Sequence, residues 1–95
     1  MRRQKRKMEN VIHRETVAPG KAPGGVWVRV CSMDELIREY ALPPSMSIQA
    51  TADAAQADAD ASEPFLDRGE TIRTYFYDGD TGACMRTIIT DPGTR

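Results

Sequence analysis

The sequence predicts a small α+β domain, an antiparallel sheet of about three to five strands with one amphipathic helix packed on one face. Three observations carry that expectation. Two β-prone runs, Thr71–Tyr77 and Ala83–Thr90, flank the turn Asp78-Gly79-Asp80-Thr81-Gly82. A third run, Val26–Cys31, reads V-W-V-R-V-C. Between them, Ser32–Ala41 places apolar residues at helical spacing behind a capping signal.

The hairpin rests on residue chemistry. Thr, Ile, Tyr and Phe suit a pleated, half-buried surface, whereas Asp and Gly accept the backbone angles of a tight reversal. With Phe76 opposite Ala83, one face gathers Ile72, Thr74, Phe76, Ala83, Met85, Thr87 and Ile89. The other face then holds Arg73, Tyr75, Tyr77, Cys84, Arg86 and Ile88. With Phe76 opposite Cys84, the second strand inverts and Ile88 joins Ile72. The first register collects more apolar side chains on one side and is the one expected. It leaves Arg73, Tyr75, Tyr77 and Arg86 on an outer aromatic and arginine surface, where binding energy tends to concentrate.

In Val26–Cys31 the three valines line one face, and Trp27, Arg29 and Cys31 the other. Both sides are largely apolar, which suits an interior strand. Trp27 reads as a core anchor. For the segment that follows, Ser32 is the expected N-cap, with Glu35 three residues on. Asp34 and Glu35 complement the dipole of a first turn. Met33, Leu36, Ile37, Tyr40 and Ala41 make one apolar helical face, and Pro43-Pro44 ends it. Asp34, Glu35 and Glu39 fall on the wet side of that helix.

The rest of the chain reads as connections. Residues 1–8 form a basic tail expected to be disordered, residues 9–91 the domain, and residues 92–95 a C-terminal tail. Glu9–Val17 suits a strand, Ala18–Gly25 a loop, and Ser45–Gln49 a short strand. Ala50–Glu63 holds seven alanines and no large apolar residue. It is expected to be an acidic linker or loop that turns helical only against a partner, because so short an isolated helix is marginal in water. Phe65-Leu66 should tuck a loop onto the core.

Charge is distributed unevenly. Five of the 13 basic residues (Arg2, Arg3, Lys5, Arg6 and Lys7) lie at the N-terminus, leaving eight basic against 14 acidic elsewhere. The molecule is an acidic body with a basic arm. That arm would give phosphate backbones a salt-dependent, sequence-blind grip, but no aromatic residue is interleaved to stack on bases.

Chemistry-bearing motifs are few. Cys31 and Cys84 read as two reduced thiols in strands, with neither a Cys-x-x-Cys pair nor a Cys/His cluster for zinc. His13 is the single histidine, without triad partners. Asp78 and Asp80 superficially suggest a calcium loop but lack its remaining oxygen ligands. Gly24-Gly25 lacks the Lys-Ser/Thr of a phosphate loop. No run of about 20 apolar residues is present for a membrane span, so a cytoplasmic protein without cofactor or metal is expected.

These features weigh toward binding over catalysis. The favoured expectation is a small non-enzymatic inhibitor or modulator of a larger protein or ribonucleoprotein with a basic surface. Its contact residues would be Asp34, Glu35, Glu39, Arg73, Tyr75, Tyr77 and Arg86, with charge speeding encounter and aromatic and arginine side chains anchoring. Phage and mobile-element inhibitors of host nucleases, anti-CRISPR proteins among them, offer an analogy of size and charge. Two alternatives stand beside it. One is a nucleic-acid-binding accessory protein using Arg2, Arg3, Lys5, Arg6 and Lys7. The other is a structural subunit whose sheet edge pairs with an assembly or with itself as a homodimer.

Overall fold

The computed structural model describes residues 16–33 and 35–94. These residues form one four-stranded antiparallel sheet and one long helix, the α+β class expected. In chain order these are β1 (Val26–Ser32), β2 (Glu35–Leu42), α1 (Ile48–Asp67), β3 (Ile72–Asp78) and β4 (Cys84–Thr90). A single 3-10 turn, Pro92–Thr94, stands where a tail was expected. Across the sheet the order is β2-β1-β3-β4.

β1 is the interior strand its sequence implies, paired with β2 on one side and β3 on the other. Its alternation builds two separate cores. Val28 and Val30 pack with Ile72 and Leu66 on the helix side, joined by Phe65 and Phe76. Cys31 packs with Tyr75, Tyr77 and Val17 on the opposite side, with Trp27 and Cys84 against them.

The segment expected to be a capped helix over Ser32–Ala41 is instead a hairpin: β1 turns at Met33 into β2. Ser32 faces Glu35 across this reversal, and Met33 takes a left-handed φ of 53°. The apparent helical spacing has a physical source in a bulge, where the register shifts between Val30 and Cys31. Arg38 faces Val30 but Leu36 faces Cys31, so β2 carries one extra residue there. Ile37, Tyr40 and Leu42 consequently join the helix-side core, and their spacing of three then two imitates a helical stripe.

The helix lies where a linker and a short strand were expected, over Ile48–Asp67. Its ends are well made. Ser47 accepts from the Ala50 N–H at 3.0 Å. At the far end Glu70 N–H donates to Phe65 O and Gly69 N–H to Leu66 O, a Schellman closure. Gly69 supplies the left-handed φ of 84°. Pro64 sits inside the last turn without breaking it. Phe65 and Leu66 do reach the core, as part of this helix and not of a loop.

What holds an alanine-rich helix to the sheet is polar as much as apolar. Arg38 Nη1 donates to Asp58 Oδ1 at 2.7 Å and to Ala54 O at 3.2 Å. The Tyr40 hydroxyl donates to Asp58 Oδ2 at 2.6 Å. Small alanine side chains let the helix come close enough for these contacts.

The β3–β4 hairpin is present, but in neither expected register. Phe76 faces Arg86 and Tyr77 faces Cys84, with a register shift between the two pairs. The extra residue on β4 changes its parity. Ile88 therefore faces Thr74 on the helix side, and Ile89 faces Arg73 on the other.

The connecting turn is pinned by the loop before β1. Gly20 N–H donates to Asp80 O, Ala22 N–H to Gly79 O, and Gly79 N–H to Gly25 O. Thr16 bridges Ala83, and Val17 N–H donates to Gly82 O. The expected strand Glu9–Val17 otherwise lies outside the described residues, as does the basic tail. Gly79 has no room for a side chain, since a Cβ there would lie 1.8 Å from Ala22 O.

Two predictions follow from these contacts. Gly79→Ala should cost about 1–3 kcal/mol because backbone must move, whereas Gly93→Ala, with open space around it, should be near neutral. Urea midpoints for the two variants check this. Arg38→Ala and Asp58→Ala should each lose about 1.5–3 kcal/mol, and a double-mutant cycle should show strong coupling between them.

Candidate interaction surface

The expected contact residues do not form one surface. Tyr77 is fully buried and Tyr75 is 7 % exposed. Both are core residues beneath Val17, so the outer aromatic surface does not exist. The cause is that both faces of the central strands are covered, α1 on one and Val17 with its neighbours on the other. Burial pushes the Tyr77 phenol above its ordinary pKa, with the Arg29 guanidinium pulling the other way. Its hydroxyl has no hydrogen-bond partner among the described residues.

Glu39 is equally unsuited to a wet acidic face. Its Oε2 accepts from Trp27 Nε1 at 2.8 Å and from Arg29 Nε at 2.6 Å. Lys21 Nζ stands 4.5 Å from the Trp27 ring centre on the same side. Burial would raise the Glu39 carboxyl, but the hydrogen bonds from Arg29 and Trp27 and the nearby positive charges hold it below its usual value. Trp27 is thus half-buried and held by its N–H.

The remaining expected residues are scattered. Glu35 is exposed at the start of β2, Arg73 is exposed on β3, and Arg86 is exposed on β4. Asp34, His13 and the arm residues Arg2, Arg3, Lys5, Arg6 and Lys7 lie outside the described residues. Asp78 and Asp80 serve the turn. Asp78 Oδ1 accepts from the N–H groups of Asp80 and Thr81, and Asp80 Oδ1 from Gly24 N–H. Those backbone donors hold the Asp78 carboxyl below its ordinary value. Among the described residues no group of three or more His, Cys, Asp or Glu is placed to hold a metal ion. Both cysteines are free thiols, Cys31 buried and Cys84 only partly so.

A different surface emerges from α1. Asp53, Gln56, Asp60, Glu63 and Asp67 are all exposed and recur at three- and four-residue steps, so they share one side of the helix. From Asp53 to Asp67 the row runs about 21 Å. The helix itself contains no Lys or Arg. Asp53 and Asp60 each accept from a glutamine one turn earlier, Gln49 and Gln56, at 2.9 Å.

Beside this row lies a groove of about 310 Å³ between α1 and the sheet. Ala55, Ala59 and Leu66 form one wall, Ile72, Thr74 and Thr90 the other, and Glu63 belongs to its rim. Small helix side chains leave the space open. On the far bank β4 is the outermost strand among the described residues, with Met85 and Ile89 more than half exposed.

Sequence reasoning missed the acidic row by treating 50–63 as a linker. The signals that find it are local: the Ser47 cap, the helical spacing of the acids and Gly69 after the last turn. No helix among the described residues is long and apolar enough to cross a membrane. No protein-family model, curated protein or solved structure matches this chain.

The Glu39 cluster makes stability depend on acid. Because its folded-state pKa is depressed, its contribution is present above the unfolded value of about 4.3 and is lost as pH falls through the folded value. Glu39→Gln should cost about 1–2 kcal/mol at pH 7. The gap between wild type and variant should shrink below about pH 4, as urea unfolding at both pH values would show.

Proposed function

We propose that this protein is a non-enzymatic binding protein that inhibits or modulates a larger macromolecular partner through a basic face of that partner. The observation that supports this reading is the acidic row Asp53–Asp60–Glu63–Asp67 along the exposed side of α1. Like charges one turn apart destabilise the helix that carries them. A partner with lysines and arginines along a groove would relieve that repulsion. Such grooves belong to proteins that handle nucleic acid, and a line of carboxylates can occupy the path of a phosphate backbone. Inhibition of a host defence complex by a phage or mobile-element protein is one setting for that chemistry.

The aromatic anchors expected from the sequence are not available for this role, since Tyr75 and Tyr77 are interior. Specificity then falls to the shape of α1, to the groove beside it and to the spacing of its charges. Attraction of this kind acts chiefly on the association rate and weakens with salt.

The test measures competition between this chain and nucleic acid for a nucleic-acid-binding effector complex of its host. Displacement at low salt that fades as salt rises is the expected result. Asp53→Lys combined with Asp60→Lys should slow association at least about tenfold with the helix content unchanged. Displacement indifferent to both salt and these substitutions would overturn the reading.

A further inference from the structure

The two edges of the sheet differ in a way that points to a partner. β2 is guarded: it carries Glu35, Arg38 and Glu39, it is broken by a bulge, and α1 is tied to it through Arg38 and Tyr40. Charges, bulges and a covering helix are how proteins prevent edge pairing. Among the described residues β4 has little of this protection, its one outer contact being the Thr16 bridge to Ala83 just before it. Its bulge lies at its start, Arg86 is its one charged residue, and Thr87-Ile88-Ile89-Thr90 continues in regular register, β-branched and exposed as far as Ile89. Ile88 is 39 % and Ile89 57 % exposed.

We propose that β4 pairs antiparallel with β4 of a second copy of this chain, about a two-fold axis perpendicular to the sheet at Ile88. The result is one continuous sheet with both α1 helices on the same side. The occupant follows from charge and register. Arg86, Ile88 and Thr90 all point to the helix side, because they face Phe76, Thr74 and Ile72 there. A dyad at Ile88 sets Ile88 against its own copy and Arg86 against Thr90 of the other chain.

Thr90 lines the groove that Glu63 also lines. Arg86 of each copy is thereby carried to the acidic rim of the other, twice by symmetry. No like charges oppose one another along the paired strands. On the opposite face the same register sets Thr87 against Ile89, covering the most exposed isoleucine of the strand. This inference goes beyond the proposed function: it rests on the β4 edge and takes from the acidic row Glu63 alone, so a dimer can form whether or not the row meets a basic partner.

Sedimentation equilibrium of the full chain over a concentration series provides the test. A mass twice that of the chain is expected, dissociating on dilution. Ile88→Lys sets two ammonium groups together at the dyad and should leave a monomer, its fold checked by far-UV circular dichroism. Arg86→Glu should weaken the dimer at least tenfold, and adding Glu63→Arg to it should recover most of the loss. Leu36→Lys on the guarded edge should change nothing. The proposal is overturned by a single-chain mass up to about 1 mM, or by a dimer indifferent to Ile88→Lys. A monomer whose β4 amides nevertheless exchange slowly would also overturn it, since another segment would then hold that edge.

Discussion

The reach of Arg38 and Tyr40 from β2 to Asp58 on α1 is the contact on which the layered arrangement depends. An alanine-rich helix offers little apolar area, and at about 25 cal/mol per Å² alanines alone do not fix it to a sheet. Phe65 and Leu66 secure one end of α1 in the core. The middle is held by one carboxylate receiving two donors at 2.7 and 2.6 Å. Arg38 also lies over the Tyr40 ring, 4.6 Å from its centre. Position and strength are therefore divided along α1, with packing at its exit and charge-assisted hydrogen bonds at its centre.

That division explains which parts of the fold can be read from the sequence. β1 and the β3–β4 hairpin are legible because valine alternation and a glycine-rich turn state their structure locally. α1 is not legible in the same way, since Asp58 finds its donors 18 and 20 residues earlier in the chain. The propensity of Ala50–Glu63 points to helix, and a rule that demands large apolar residues rejects it. β2 misleads for the opposite reason. Its bulge sends Ile37, Tyr40 and Leu42 to one core, so a strand acquires the periodicity of a helix. Ser32, expected as a cap, is buried and donates from Oγ to Glu70 Oε1, tying the end of β1 to the exit of α1.

The site residues show the same limit. Alternation correctly places Arg73, Tyr75 and Tyr77 on one face of β3, but says nothing of what covers that face. Val17 does so, reaching the turn through Gly82 and Thr16–Ala83. Close backbone packing at Gly79 and Gly82 brings that loop down, and neither glycine leaves space for a Cβ. A face expected to bind partners is consequently an internal core, and Glu39, expected to be wet, is the acceptor that orients Trp27 and Arg29.

Charge and pairing capacity are kept apart in this molecule. Acids run along the exposed side of α1, β4 is the outermost strand among the described residues, and the alanine-walled groove lies between them. The separation has an electrostatic consequence. Two copies joined at β4 with their helices on one side would place the acidic rows on opposite banks of a shared trough, with Glu63 of each on the rim nearest β4. Repulsion between the rows then falls with distance and screening, since charges beyond a Debye length of about 8 Å interact weakly in physiological salt. The like charges most costly to assembly are thus those nearest the strand edge. Arg86 is the one charged side chain on β4, and the register about Ile88 moves it away from its own copy and toward a carboxylate.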